Sequence, residues 1–410
     1  MTEEQLSQAS IDYVKNAPLA KRKELGQYMT PRTISDIVLK HLPIKDGDKV
    51  LDPAVGTGEL LAAVTRQNPN VTCYGWDIDE EILSIAEKSF PNFIFTNRSA
   101  IDTLPENELN KYDVIIANPP YFEMKLSPEQ KIQFKEIVSG RANIFALFFQ
   151  QAIKLTKDGG YIGFIVPPSL NAGAFFKNLR SYILTHTEIV HLELIRKSSH
   201  FIDAQTAVQV IVMRKTYQPT TNKTHVFSLK TPTGETTVLT EDSQMLEKNW
   251  KNKTSLYDLG YVAITGTIPW NEFKDELSEA RTTSNSVPLI YAKDISNINT
   301  IKLNPALASR RYLTTNNKAP IHEEAILVNR IVGSLESPSL RVAKFGGKTH
   351  SFFAENHVNV ILPHNDFTPK ISLDELYNRI ITDKELVDYI KALTGNTQIS
   401  AKELSYLIPL

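Results

Sequence analysis

Residues 49–61 read Lys49-Val50-Leu51-Asp52-Pro53-Ala54-Val55-Gly56-Thr57-Gly58-Glu59-Leu60-Leu61, and they decide the fold of the first half of the chain. The apolar start predicts a buried strand, the two glycines predict a tight turn, and the apolar residues after Gly58 predict a helix. A pair of glycines alone is a weak signal, but a glycine turn between a strand and a helix is typical of a ligand-binding loop. We therefore expect Gly56 and Gly58 to let a ligand approach the backbone; a plain turn is the alternative.

A second predicted strand, Val71–Trp76, ends in Asp77, about twenty residues after the glycine turn. A carboxylate at this distance, at the tip of the second strand, suits a bidentate grip on the hydroxyls of a ribose. Asp77 would otherwise serve only as the N-cap of the next helix, and one side chain can fill both roles. The turn and the acid together predict a site for a ribose-bearing ligand.

Four polar or rigid residues, Asn118-Pro119-Pro120-Tyr121, follow the apolar strand Asp113–Ala117. Open α/β sheets bind ligands at the carboxyl ends of their strands, where these residues lie. Asn118 brings one acceptor oxygen and two donors, the prolines make a stiff turn without donors of its own, and Tyr121 adds a flat aromatic face. The set suits a planar ring that bears an exocyclic amine, although a proline-rich turn is the alternative for the motif in isolation.

The stretch Gly26–Pro31 precedes a predicted helix, Thr33–Leu42. Thr30 and Pro31 are typical of an N-cap followed by proline in the first helical turn. Gly26 permits a tight backbone. Taken alone, the stretch predicts no more than a capped surface helix.

Strands alternate with helices over about 200 residues, which predicts an α/β fold with a mostly parallel sheet and helices on both faces. We assign residues 1–216 to this domain and residues 217–256 to a linker or small β segment. Residues 257–410 carry short apolar runs broken by turns and then helical patterns, so they predict a second, β-rich domain that ends in helices. Thr-Pro-Thr-Gly at 231–234 predicts a turn.

Composition and charge exclude several classes of protein. The net charge of −1 excludes a wholly basic nucleic-acid coat, but residues 301–350 hold eight Lys and Arg against three Glu, which predicts a local basic face or a merely solvated one. The single cysteine, Cys73, excludes an internal disulfide and a cysteine metal site. The nine histidines show no helical ligand spacing, so we expect no metal. No signal peptide and no apolar run near the ~20 residues of a membrane span are visible, and we expect a cytoplasmic protein.

The order of motifs resembles the gamma-class adenine-N6 DNA methyltransferases of restriction–modification systems. The matching stretches are residues 26–31 (GQYMTP), 52–58 (DPAVGTG), 75–79 (GWDID), 118–121 (NPPY) and 159–169 (GGYIGFIVPPS). The resemblance covers residues 21–215. It implies a Rossmann-like sheet that binds S-adenosylmethionine, double-stranded DNA as the substrate, a C-terminal target-recognition domain, and a separately encoded restriction endonuclease as a partner.

The resemblance also implies roles for individual residues. The positions assigned to the cofactor are Thr30, Asp52, Pro53, Ala54, Gly56, Gly58, Asp77, Ile78, Ser99, Asp102 and Pro120. Thr30 and the glycine turn would hold the methionine end, Asp77 the ribose, and Ile78 the adenine ring. The family's usual acidic contact to the cofactor adenine aligns with Ser99, with Asp102 three residues on, and the choice between them stays open.

Asn118 and the carbonyl of Pro119 would accept the hydrogens of the target amine. Tyr121 and Phe201 would stack on the target base, which must be flipped out of the duplex because its N6 atom is unreachable inside it. Arg310, Arg311 and Arg330 are the predicted contacts to phosphates or base edges. A carbon-5 cytosine enzyme is excluded, because its nucleophile would have to be Cys73, which lies in a predicted buried strand.

Two other functions remain open at this point. The same Asn118–Tyr121 motif would serve an RNA or protein-glutamine methyltransferase. A DNA-binding specificity protein with a non-catalytic methyltransferase fold is the third hypothesis. The intact Gly56–Asp77 and Asn118–Tyr121 elements disfavour the third, and the size and basic bias of the C-terminal part disfavour a glutamine enzyme.

Overall fold

The computed structural model describes residues 6–138, 140–195, 207–218, 224–297, 299–315, 317–330, 340–347, 350–395 and 398–410. The chain divides into two compact units. The first comprises residues 1–228 and 237–243, and the second comprises residues 229–236 and 244–410. Within the described ranges, no helix combines the length and the apolar character needed to cross a bilayer.

In the described part of the chain before residue 219, the first unit contains nine strands. They are β1 (Lys49–Asp52), β2 (Thr72–Asp77), β3 (Ile94–Asn97), β4 (Tyr112–Ala117), β5 (Glu123–Met124), β6 (Ala142–Asn143), β7 (Thr156–Val166), β8 (Thr187–Ile195) and β9 (Val208–Lys215). Seven of them form one sheet in the order β3-β2-β1-β4-β7-β9-β8. Only β9 runs antiparallel to its neighbours, and the other pairs are parallel. The predicted mostly parallel, Rossmann-like sheet is therefore confirmed.

The helices of this unit are α1 (Gln8–Asn16), α2 (Leu19–Glu24), α3 (Arg32–Lys40), α4 (Glu59–Gln67), α5 (Glu80–Ser89), α6 (Pro128–Gln133), α7 (Ile144–Leu155), α8 (Ser169–Ala172) and α9 (Lys177–His186). They cover both faces of the sheet. In β4, Ile115 packs in one hydrophobic cluster with α7, whereas Val114 and Ile116 pack in the other with α3 and α4. Successive side chains of a strand point to opposite faces, so β4 must be apolar throughout.

The strand order reverses between β1 and β4, the two strands that begin the opposite halves of the sheet. Such a switch point opens a crevice at the carboxyl ends of the strands, because the connections leave β1 and β4 in different directions. The glycine turn follows β1 and Asn118 follows β4. The topology therefore brings both predicted motifs to one crevice.

A hairpin of β10 (Val226–Thr231) and β11 (Gly234–Leu239) follows, and α10 (Ser243–Trp250) comes next. Its turn lies at the predicted position, with Gly234 at a positive φ of 104°. This backbone conformation favours glycine because glycine has no Cβ.

The second unit is rich in short strands. They are β12 (Tyr261–Thr265), β13 (Leu277–Ser278), β14 (Val287–Ile290), β15 (Tyr312–Leu313), β16 (Ala325–Asn329), β17 (Val342–Phe345), β18 (Phe353–Ala354) and β19 (Val358–Pro363). One sheet has the order β12-β19-β16-β17 and the other the order β13-β15-β14-β18. The chain then forms α11 (Leu373–Thr382), α12 (Leu386–Thr394) and α13 (Ala401–Tyr406). The predicted β-rich region ending in helices is confirmed.

Candidate active site

A cavity of about 270 Å³ lies in the first unit at the switch point between β1 and β4. Its wall includes Asn118 and most of the residues assigned to the cofactor. Those residues are Thr30, Asp52, Pro53, Ala54, Gly56, Asp77, Ile78, Ser99 and Pro120. Residues that are far apart in sequence thus share one wall, as expected if they bind one ligand.

Asp77 is fixed at the tip of β2 by backbone donors. Its Oδ2 accepts a hydrogen bond from the N–H of Gly56 at 2.9 Å, and its Oδ1 accepts one from the N–H of Asp79 at 3.0 Å. Burial raises the pKa of the Asp77 carboxyl, while these two hydrogen bonds act in the opposite direction. The next helix is capped by Asp79 and not by Asp77, because the N–H of Glu81 donates to Asp79 Oδ1. Asp77 is therefore free for a ligand role.

Asp52, at the end of β1, is almost completely buried in the cavity wall. Burial raises the pKa of its carboxyl to about 8, although the N–H of Ala54 donates to Oδ1 at 3.0 Å and favours the charged form. The nearby Asp77 carboxylate also raises this pKa. A buried acid without a cationic partner is poised to ionise when a cation enters the cavity.

Two hydrophobic or small residues complete the wall beyond β2 and β3. Ile78 has 66% of its surface exposed, which is unusual for isoleucine and is consistent with packing on the flat face of a ligand. Ser99 also lines the cavity. Asp102 does not line it: its side chain is exposed, and its backbone carbonyl accepts from Gln151 Nε2 on α7 at 2.6 Å. The position of Ser99 in the cavity wall favours it over Asp102, and both roles stay predictions.

The two glycines of the turn have different roles. Gly56 lines the cavity at a positive φ of 53° and donates its N–H to Asp77. Gly58 does not line the cavity; it precedes α4 at a φ of 92°, and a Cβ there would lie 2.9 Å from the Phe90 ring. Its requirement for glycine comes from backbone conformation and close packing, and the expected ligand contact at Gly58 stays a prediction.

The loop before α3 holds the side chain of Asn118. Asn118 Nδ2 donates to the backbone carbonyl of Tyr28 at 3.2 Å and to Thr30 Oγ1 at 3.1 Å. Both donors of the amide are thereby used, which fixes which way the amide faces and leaves Oδ1 as the acceptor. Thr30 does not cap α3, whose N-cap is Pro31 without a side-chain hydrogen bond, so the predicted capping role of Thr30 is wrong.

Tyr121 lies inward from Asn118. Its hydroxyl contacts Asn118 Oδ1 in a short hydrogen bond and lies 2.9 Å from the carbonyl of Ile165 on β7. Its ring packs edge-on against Phe145, with 6.3 Å between the centroids, and burial raises the pKa of the phenol. The ring faces the core in this conformation, so its stacking on a base stays a prediction that requires the ring to turn.

The loop before α3 is held in place by Gln27, a residue to which the motif gave no role. Gln27 Nε2 donates to Asp79 Oδ2 at 2.9 Å, and its Oε1 accepts from the Tyr13 hydroxyl at 2.6 Å. Burial alone would raise the pKa of Asp79, but Lys21, 2.9 Å away, and Gln27 outweigh it and hold this pKa below its usual value. The Gln27 contacts fasten the loop to the tip of β2.

Gly26 allows this loop to cross the Asn118–Tyr121 motif. A Cβ on Gly26, whose φ is 64°, would lie only 2.6 Å from Pro120 Cβ.

Arg98 is a further cavity residue that the motifs did not indicate; its guanidinium lies 4.3 Å from the centroid of the Trp76 ring. A cation after β3 has no fixed sequence signature, so only the packing identifies it.

Three further expectations concern Phe201, Pro119 and Cys73. Phe201, the predicted second stacking residue, lies outside the described residues. Pro119 is buried, and the role of its carbonyl stays a prediction. Cys73 is buried in β2, and burial raises the pKa of its thiol to about 12, which agrees with a core position and not with a nucleophile.

In the second unit, the predicted arginine contacts separate into different environments. Arg311 is buried and forms a bidentate ion pair with Asp294, with NH1–Oδ2 and NH2–Oδ1 distances of 2.7 and 3.2 Å. It is a core residue, so its assignment to DNA is wrong. Arg310 is half-buried, with its guanidinium 3.9 Å from the centroid of the Trp270 ring. Arg330 NH1 lies 3.4 Å from the carbonyl of Asn356, and its role in binding stays a prediction.

Comparison with known proteins relates part of this chain to one family. The model of the Eco57I restriction-modification methylase family matches residues 75–201, which include β4 and Asn118. Modification methylase CviBIII of Paramecium bursaria Chlorella virus NC1A is 26% identical over 222 residues, 52% of this chain and 56% of that protein. Type II methyltransferase M.PstI of Providencia stuartii is 23% identical over 460 aligned positions, 94% of this chain and 87% of that protein.

Among solved structures, the type IIG restriction endonuclease BpuSI aligns with 98% of this chain and 60% of its own length, at 15% identity and a TM-score of 0.43. The chain spans little more than half the length of CviBIII. The sequence matches confirm the resemblance to methyltransferases of restriction–modification systems, whereas the gamma class remains a prediction.

Proposed function

We propose that this chain transfers a methyl group from S-adenosylmethionine to the N6 amine of an adenine in duplex DNA. Its residues 75–201 match the model of the Eco57I restriction-modification methylase family. The observation that carries the proposal is the position of Asn118. Its acceptor oxygen, fixed by the loop before α3, stands beside a cavity whose other residues suit a nucleoside with a cationic tail. The same proposal keeps residues 1–216 as the catalytic domain, 217–256 as a linker or small β segment, and 257–410 as the target-recognition domain.

The donor set of the cavity fits S-adenosylmethionine. Asp77 lines the cavity and has its carboxylate held by two backbone donors, which suits a ribose. Ile78 offers exposed apolar surface for an adenine ring, and the buried Asp52 offers a counter-charge for the cationic end. When bound, the cofactor supplies a methyl group that its sulfonium has already activated.

The task of the protein side chains is to activate and hold the amine. The exocyclic nitrogen of adenine is a weak nucleophile because its lone pair is delocalised into the ring. Acceptance of its hydrogens by Asn118 Oδ1 and the Pro119 carbonyl favours a pyramidal nitrogen with an available lone pair. These hydrogen bonds strengthen as positive charge develops on the nitrogen, so they stabilise the transition state more than the ground state.

Tyr121 would leave Asn118 when the base enters. In the structure the Tyr121 hydroxyl occupies the acceptor site of Asn118 Oδ1, which the target amine would take over. The carbonyl of Ile165, 2.9 Å from the same hydroxyl, provides Tyr121 with an alternative acceptor. To stack on the base, the ring must also turn away from Phe145, and this stacking would offset part of the cost of flipping the base.

In the second unit, Arg310 supports a role in DNA binding. Its guanidinium stacks on Trp270, and Lys274 Nζ lies 5.6 Å from the centroid of the same ring. A planar cation held on an aromatic ring is preorganised for phosphate oxygens or a guanine edge. A separately encoded restriction endonuclease would complete the system in which such a methyltransferase works.

The substrate class can be tested with the isolated chain. The protein is incubated with S-adenosylmethionine labelled in its methyl group and, separately, with duplex DNA of varied sequence, RNA and a protein extract. We expect label on DNA, and labelling at least about 100-fold slower with Asn118→Ala as the matched control. Label found only on RNA or on glutamine of a protein would contradict the proposal.

Removal of the Thr30 hydroxyl should impair turnover through Asn118. Thr30→Val deletes one of the two acceptors of Asn118 Nδ2, so we expect kcat to fall by roughly three- to tenfold, as one hydrogen bond is worth about 1 kcal/mol. Thr30→Ser should restore most of the activity. Single-turnover rates, measured with saturating cofactor, check this; a change confined to the Kd of the cofactor would instead assign Thr30 to the methionine end alone.

The affinity for S-adenosylmethionine should rise with pH through the titration of Asp52. Its raised pKa, about 8, means that Asp52 is largely protonated at pH 6 and 7 and must release its proton when a cationic ligand binds. Affinity should therefore increase by up to about tenfold per unit up to pH 8 and then level off. Calorimetric titration at pH 6 to 9 checks this. Asp52→Asn is the control, because the ligand still titrates in this variant but the Asp52 carboxyl is absent. It should bind S-adenosylmethionine weakly, and its affinity should change less with pH. Parallel pH profiles of the two proteins would contradict the role of Asp52 as the counter-charge.

A further inference from the structure

Three potential metal ligands lie close together in the first unit, and none of them is among the residues that line the cavity. They are His41, His191 and Glu193, each half-buried. One ligand atom from each lies within 4.8 Å of the others. Among the described residues, this is the only group of three or more such side chains with that spacing.

The local structure explains why these residues meet. His191 and Glu193 are two apart on β8, so both side chains lie on the same face of this edge strand. His41 directly follows α3 and donates its backbone N–H to the carbonyl of Val38. The helix packs on the same sheet, in a cluster with Val210 and Val212 of β9, next to β8. The fold thus brings a helix end against two residues of the edge strand.

The two imidazole rings lie face to face. Their centroids are 3.5 Å apart and their planes differ by 11°, while His191 Nε2 is 3.1 Å from Glu193 Oε2. A metal ion lies in the plane of each imidazole that binds it, so one of these nearly parallel rings must turn before both nitrogens face a single ion. Neutral imidazole is the form that binds metals.

The set of donors selects the class of ion. Two imidazole nitrogens and one carboxylate oxygen suit Zn²⁺ and related first-row divalent metals, whereas Mg²⁺ and Ca²⁺ prefer oxygen ligands. His225, the next imidazole, is turned edge-on to His191 at 6.2 Å between centroids, and its Nδ1 lies 3.1 Å from the Thr240 carbonyl. It lies outside the set, so water would take any remaining coordination position.

We propose that His41, His191 and Glu193 form a binding site for Zn²⁺ that joins the end of α3 to the edge strand β8. The sequence predicted no metal because its histidines show no ligand spacing on one helix. Here 150 residues separate the first ligand from the second, and only the fold brings them together. The proposal does not depend on methyl transfer. Its consequence is stability: an ion held by both elements stabilises the folded state by mass action, because the unfolded chain has no such preformed site.

The test is a titration of the full chain, freed of metal with a chelator, with ZnCl₂ alone. Calorimetry should show one Zn²⁺ per chain and a thermal unfolding midpoint that rises with added Zn²⁺. Glu193→Gln keeps the size of the side chain and a hydrogen-bonding oxygen, and it should weaken binding by at least about tenfold. His191→Gln should abolish both the binding and the rise in the midpoint.

His357→Gln in the second unit is the matched control. His357 Nδ1 lies 2.6 Å from Glu355 Oε1, a comparable His–Glu pair that belongs to no cluster of three ligands within the described ranges. This variant should bind Zn²⁺ like the parent chain. The midpoints of all variants in chelator should match the parent value, which separates loss of metal from misfolding. If His191→Gln and Glu193→Gln bind Zn²⁺ as the parent does, or only His357→Gln loses it, the proposal is overturned.

Discussion

Asn118→Ala is expected to lower kcat by about 10²–10³-fold, the usual effect of removing one preorganised hydrogen-bonding group from a transition state. The Kd of S-adenosylmethionine should stay within about twofold of the parent value, because Asp52, Asp77 and Ile78, which line the same cavity, remain in place. The loss should appear in single-turnover rates at saturating DNA and cofactor, because the hydrogen bonds of the target amine strengthen only as the methyl group transfers.

Asn118→Asp separates two explanations of that result. Aspartate keeps an acceptor oxygen but lacks the amide donors that bind the carbonyl of Tyr28 and Thr30 Oγ1. If orientation by this loop matters, Asn118→Asp should also be poorly active, because its second oxygen would face the Tyr28 carbonyl. Turnover retained in Asn118→Ala would contradict the acceptor role itself, whatever the aspartate variant does.

Arg311→Ala is expected to destabilise the second unit by about 3–5 kcal/mol, because it leaves a buried carboxylate without its cation. Asp294 has no exposed surface on its side chain and is held by Arg311 through two hydrogen bonds. The guanidinium also donates to the carbonyls of Leu289 and Asn304, at 3.3 and 3.1 Å. Arg311→Lys should recover only part of the stability, since an ammonium group lacks the forked geometry. Denaturant unfolding measures the difference.

Arg310→Ala is the neighbouring control with the opposite expectation. Arg310 has no ion pair among the described contacts, and its main contact is the Trp270 ring, so the free energy of unfolding should change by no more than about 1 kcal/mol. DNA binding should weaken, and the slope of log K against log salt should fall by about one for a lost phosphate contact. An unchanged salt slope would remove Arg310 from the DNA surface, and an unchanged stability in Arg311→Ala would contradict the buried-pair account.

The fold could be predicted from the sequence because its signals are local. A strand, a glycine turn and a helix follow one another within residues 49–61, and the apolar run before Asn118 has the length of a buried strand. Repetition of these patterns fixes an α/β sheet, and the rule for switch points then places Asp77 and Asn118 at one crevice. The antiparallel direction of β9 has no equivalent local signal.

The roles of single residues were less predictable, because they depend on packing between distant segments. Gly58 matched a ligand-binding turn, yet it is constrained by Phe90. Thr30 matched a helix cap, yet its hydroxyl holds Asn118, 88 residues away. Arg310 and Arg311 are adjacent and chemically identical, and only the tertiary structure shows that one is paired in the core. Burial is a property of the folded unit, so it cannot be predicted from the Arg-Arg dipeptide alone.

The most direct test of the central claim is the identity of the methylated nucleoside. Duplex DNA modified by the purified chain is digested completely, and its nucleosides are separated and identified by mass spectrometry. The account predicts N6-methyladenine as the product, formed at least about 100-fold more slowly by Asn118→Ala under the same conditions. A product methylated on cytosine, or N6-methyladenine formed equally by Asn118→Ala, would contradict it.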